Sequence, residues 1–188
     1  MPQGISRRDA VAALTGVAAS VWTAADPRVA RAAAYAAQAR AGQAWQTLTA
    51  AQARELDAVT ATLVPTDDTP GAREARVVRF IDRSLATWAK DQKPAMTAAL
   101  TALGDFTASK RDGNRSFAAV PPAERTALLE EFEKTHPDAF NGAFWFPTMA
   151  GMFANPSYGG NANKAGWRLM GFTDQFSWAP PFGYYDHG

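Results

Sequence analysis

Residues 48–65, LTAAQARELDAVTATLVP, decide the fold class. Thr49 followed three residues later by Gln52 is a capping box, in which each side chain accepts a backbone N–H from the other residue. Ala53, Leu56, Val59 and Leu63 then recur at helical spacing and make one apolar stripe. Pro65 ends the helix, because proline has no N–H to donate and restricts the residue before it.

The same grammar continues downstream. In TDDTPGAREARVVRFIDRSLATW, Thr69 reads as an N-cap with Pro70 at the first helical position. Val78, Ile81, Leu85 and Trp88 fall on one face, with Arg73, Glu74, Arg76, Arg79 and Asp82 largely elsewhere. A third helix is expected from Pro94, carrying Leu100, Leu103 and Phe106, and stopping before the turn formers RDGNRS. A fourth follows VPPAERTALLEEFEKTH, with Leu128, Leu129 and Phe132 inward and Glu130, Glu131, Glu133 and Lys134 solvated. A fifth runs from Asp138 through AFNGAFWFPTMAGMFA, disturbed at Pro147 and stopped by Asn155-Pro156. No window alternates with period two and β-branched enrichment, so the expected fold is all-α: one helical domain of about five helices.

The C-terminal quarter is different in kind. Thirteen of the 21 aromatic residues lie between Phe140 and Tyr185, and only five charges fall between Pro137 and Gly188. Such a surface suits the centre of a protein–protein interface. It suits a core equally, and for any single aromatic residue the core is the default.

At the other end, Ser6, Arg7 and Arg8 precede an uncharged run from Ala10 to Ala25, followed by small residues around Ala30–Ala34. A basic head, a modest apolar stretch and small residues are the layout of an export signal. The run is shorter than the ~20 residues a spanning helix prefers. Adjacent arginines point to the twin-arginine route, which carries folded cargo, although Ala10 and Ala12 stand where an aromatic and a lysine are commoner. The expected organisation is a signal region over 1–36, a linker over 37–47 and the helical domain over 48–188, and the expected location is the periplasm.

Candidate chemistry is thin. A net charge of +1 makes no case for nucleic acid, and the absence of cysteine excludes disulfides, thiolate zinc sites and Cys-x-x-Cys-His haem attachment in this chain. In NPSYGGNANKAGWRLMGF, residues 155–172, Lys164 lacks the preceding glycine and following hydroxyl of a phosphate loop. The expected role of Tyr158, Gly159, Gly160, Asn161 and Trp167 is a structural turn at or near a docking surface, with Gly159, Gly160 and Asn161 tolerating positive φ and Trp167 delivered to the body. Asp67 and Asp68 lack the ligand spacing of a calcium loop. Of the two histidines, His136 closes a helix and His187 sits at the chain end, so neither anchors a nucleophilic triad. No catalytic, cofactor-binding or metal-ligating residue is assigned.

Three stretches taken together resemble the gluconate 2-dehydrogenase subunit 3 family: LTAAQARELDAVTATLVPTDDTPGAREARVVRFIDRSL, then LLEEFE with FNGAFWFPTMAGMFANP, then PSYGGNANKAGWRLMGF. The most specific pieces are LVPTDDTPGA and P-x-YGGN…GW-x-x-x-GF, and the likeness spans Leu48 to Phe172. The resemblance implies a small non-catalytic subunit of a periplasmic sugar or polyol dehydrogenase. It implies a large FAD-binding partner of the glucose–methanol–choline type, and a membrane-bound c-type cytochrome that holds haem c. It also implies passage through the twin-arginine translocase, with the small subunit assisting maturation and export of the flavoprotein. The alternative is a stand-alone periplasmic carbohydrate-binding module using aromatic residues such as Trp178, Tyr184 and Tyr185.

Overall fold

The first helix, α1, spans Ala50–Leu63 and starts as its capping box requires: the Gln52 N–H donates to Thr49 Oγ1 at 3.2 Å and the Thr49 N–H to Gln52 Oε1 at 2.9 Å. The computed structural model describes residues 44–174, so Ser6, Arg7, Arg8, most of the 37–47 linker and the tail residues Trp178, Tyr184, Tyr185 and His187 lie outside the described residues. Among the described residues α1 is followed by α2 (Val77–Ala86), α3 (Lys93–Lys110), α4 (Pro122–Thr135), α5 (Pro137–Ala139) and, after a π-helix over Phe140–Trp145, α6 (Phe146–Phe153). A short α7 (Ala165–Leu169) closes the described chain. Among the described residues the fold is all-helical, and no helix is long and apolar enough to cross a membrane.

The core gathers Leu56 and Val59 of α1, Val77 and Ile81 of α2, Leu103 of α3, Phe132 of α4, Phe144 of the π-helix and Met152 of α6. Helix α1 packs on α2, α4 and the π-helix, while α2 lies along α6. The inward residues expected of α4, Leu128, Leu129 and Phe132, are buried. At its C-terminus the His136 N–H donates to the Phe132 carbonyl at 2.8 Å, and the imidazole stacks on the Phe132 ring at 4.6 Å. The loop before α4 is pinned from two sides. Glu55 accepts from Ser116 Oγ (2.6 Å) and the Ala118 N–H (2.9 Å), and Arg125 donates to the carbonyls of Ala118 and Val120. Burial and the neighbouring Arg73 lower the Arg125 pKa from its usual value, while Asp57 and Glu55 act in the opposite sense.

Three expectations are corrected. Thr69 does not cap α2, which begins at Val77 behind a left-handed Arg76 (φ 57°) with no side-chain cap. Instead the Thr69 N–H and hydroxyl both donate to Asp67 Oδ1 at 2.8 Å, and the Ala72 N–H donates to the Val64 carbonyl at 2.9 Å. Tertiary closure of the 64–72 loop against the end of α1 thus overrides the local start signal. Trp88 lies beyond the end of α2, past the Thr87 C-cap, and is 52% exposed. Asp82, placed by its polarity on the outer side of that helix, is buried at 2% exposure. It accepts the backbone N–H groups of Gln46 (2.8 Å), Thr47 (2.9 Å) and Leu48 (3.0 Å), which supplies the hydrogen bonds a buried carboxylate needs.

The disturbance expected at Pro147 takes the form of the π-helix immediately before it. The Phe146 N–H reaches the Asn141 carbonyl, five residues back, so the ladder widens just where proline withholds a donor.

Candidate functional site

The chain between Asn155 and Phe172 finishes helix α6. An α-helix leaves its last carbonyls without intrahelical donors. Here the Asn161 N–H donates to the Gly151 carbonyl at 2.8 Å, Trp167 Nε1 to the Phe153 carbonyl at 2.8 Å, and Asn161 Nδ2 to the Ala154 carbonyl at 3.0 Å. Asn161 is wholly buried, left-handed at φ 45°, and its Oδ1 accepts the Gly166 N–H at 2.8 Å. The Ala162 N–H then donates to the Ala75 carbonyl at 3.1 Å, tying the turn to the start of α2.

The two adjacent glycines have different reasons. Gly159 takes the expected positive φ, at 101°. Gly160 is not among the positive-φ residues, contrary to expectation; it is small because a Cβ there would collide with the Gly151 carbonyl. Trp167 packs edge-on to Phe172 with ring centroids 5.2 Å apart. Of the five residues expected at the turn, Gly159, Gly160, Asn161 and Trp167 therefore build it. Tyr158 faces outward instead, 50% exposed, with its ring against Trp88 at 5.4 Å.

Trp88 leads to a feature that the motifs do not reveal. An apolar groove of about 780 Å³ opens between α2, the first turn of α3 and the column formed by α5, the π-helix and α6. Phe80, Ile81 and Leu85 of α2 and Met96 of α3 line one side, with Ala143 and Ala150 opposite. Trp88 and the 70% exposed Phe146 stand at its lips. Its polar lining residues are Ser84, Gln92 and Asp138; no lysine or arginine lines it. A sequence signal for this face did exist. Phe144, Trp145 and Phe146 are consecutive, and successive residues on a helix point about 100° apart, so one core cannot take all three. Phe144 is buried while Trp145 and Phe146 are exposed.

The remaining candidates stay apart. Asp67 is engaged with Thr69, and His136 with Phe132 and Thr135. Among the described residues no three or more His, Asp or Glu side chains stand together as a metal-binding group.

Comparison with curated proteins and with solved structures finds no match. A family model described as gluconate 2-dehydrogenase subunit 3 matches residues 50–174, from the first helical residue of α1 to the last described residue. The matched span includes every helix among the described residues, the groove and the YGGN turn, and so the chain belongs to the gluconate 2-dehydrogenase subunit 3 family.

Proposed function

We propose that this chain is a non-catalytic small subunit of an FAD-dependent gluconate, sugar or polyol dehydrogenase. In this reading it assists maturation of the flavoprotein subunit and carries it to the periplasm by the twin-arginine route. The family match over residues 50–174 carries the reading, since the family is that of a dehydrogenase subunit. One further observation supports it. The groove offers apolar surface and exposed aromatic lips, the features of an interface centre. In this reading the flavin belongs to the large subunit and haem c to the cytochrome.

The leader gives the division of labour a physical reason. The twin-arginine route moves folded cargo, so an FAD-loaded partner without its own signal can cross with one that has it. Co-expression of both chains with a tag on one tests this directly. Co-elution is expected, and changing Arg7 and Arg8 together to lysine is expected to strand the flavoprotein in the cytoplasm. Failure to co-elute, with the flavoprotein exported equally well in the absence of this chain, would overturn the proposal.

A further inference from the structure

Resting on the subunit reading above, we infer that a second cavity, between the end of α1, α4 and the π-helix, receives an arginine side chain of the flavoprotein subunit. The cavity measures about 430 Å³ and shares no lining residue with the apolar groove.

Its electrostatics point one way. Glu130 and Glu133, three residues apart, lie on one face of α4, and both line the cavity. Neither is in an ion pair with a described residue, whereas Glu131 between them in sequence is bound to Lys110 at 2.6 Å. No lysine, arginine or histidine lines the cavity, and Lys134 lies outside the lining. The neutral groups lean the same way. Asn141 commits its Nδ2 to the Pro137 carbonyl at 2.9 Å, which leaves its amide oxygen as the free end. Thr62 likewise donates its hydroxyl proton to the Ala58 carbonyl at 2.7 Å. Thr62 and Leu63 also bring the C-terminal end of α1, which has no basic residue in its last turn. Among the described residues no backbone N–H donates to the carbonyl of either. A helix C-terminus carries partial negative charge, so the two carboxylates, the amide oxygen and the helix end all favour a cation.

Shape selects the cation. Leu129 and Phe140 are buried and form the inner wall, and Trp145 lines the cavity at 45% exposure. A metal ion would make no use of that apolar wall. A sugar, whose hydroxyls accept as well as donate, would find only the Thr126 hydroxyl and the Trp145 indole N–H as uncommitted side-chain donors. Arginine uses the whole lining. Its methylene stem covers apolar carbons, and its planar guanidinium both stacks on an indole and forks onto carboxylates.

The test titrates the purified flavoprotein subunit with the full chain. It also maps which flavoprotein arginines the complex shields from an arginine-directed dicarbonyl reagent. The double variant Glu130→Gln, Glu133→Gln keeps the shape of two exposed side chains. It is expected to weaken the complex roughly tenfold or more and to unshield the arginine, with the melting temperature of the free chain unchanged. Trp145→Ala is expected to weaken it roughly fivefold through the lost ring face. Glu131→Gln makes the same kind of charge change on the same helix outside the cavity, and should leave affinity at the wild-type value. Wild-type affinity in the double variant, a loss just as large in Glu131→Gln, or a wild-type complex that shields no arginine would each overturn the assignment while leaving the subunit reading intact. Absence of any wild-type complex would instead sink the subunit reading, and this inference with it. If the double variant abolishes self-association or saturable glucose binding by the free chain, while the flavoprotein complex keeps its affinity, the occupant is a second copy or a sugar and the assignment falls.

Discussion

Asn161 joins three strands of chain that share no secondary structure: the end of α6, the glycine turn and the start of α7. Its side chain donates to Ala154 and accepts from Gly166, and its backbone occupies the left-handed region without being glycine. Replacing it by alanine removes both side-chain bonds, orphans a buried N–H and carbonyl, and keeps a Cβ where φ is positive. The expected loss is about 3 kcal/mol from those bonds, read as a lower denaturation midpoint. Asn161→Gly should recover about 1 kcal/mol of it, since glycine relieves the left-handed penalty. Gly160→Ala should be comparably damaging, because the obstructing atom is the Gly151 carbonyl on the backbone and not a flexible side chain. That these residues make a turn was legible from glycine and asparagine chemistry. Which carbonyls they satisfy was not, because the acceptors lie seven to fourteen residues away and meet them only once α6 has formed.

At the scale of the element, the capping box of α1, the extent of α4 and the apolar faces of both were readable, because each is set by residues within one or two turns. The start of α2 was not. Thr69-Pro70 is a sound local signal, but it lost to the closure of 64–72 against α1, a contact whose strength depends on tertiary approach. Asp82 was misplaced for the same kind of reason. Periodicity puts an acid outside, whereas three consecutive N–H groups from Gln46 to Leu48 make a buried acid stable here. Helix α2 thus fixes the point at which the chain enters the helical unit. Asp82→Ala should leave those three donors without an acceptor and cost about 2–3 kcal/mol, the penalty for unsatisfied buried groups. Hydrogen exchange would show it as lost protection at residues 46–48. Retained protection there would mean that other contacts hold the segment.

At the scale of the molecule, the legible part was the class: helices across the described residues, an aromatic C-terminal quarter and residues resembling one family, which the match over 50–174 establishes. The groove was not legible, since its walls come from three separate segments that meet only in the folded chain. Aromatic content alone could not divide the core from the surface. Phe140 and Phe144 went inward; Trp145, Phe146, Tyr158 and Phe172 did not. In the proposed function this molecule grips a redox enzyme and transforms nothing by itself. The decisive experiment purifies it without any companion and records its flavin absorbance together with acceptor-dependent oxidation of gluconate, sugars and polyols. No bound flavin and no turnover are expected until the flavoprotein subunit is added; a stoichiometric flavin or measurable oxidation by the isolated chain would refute the proposed role.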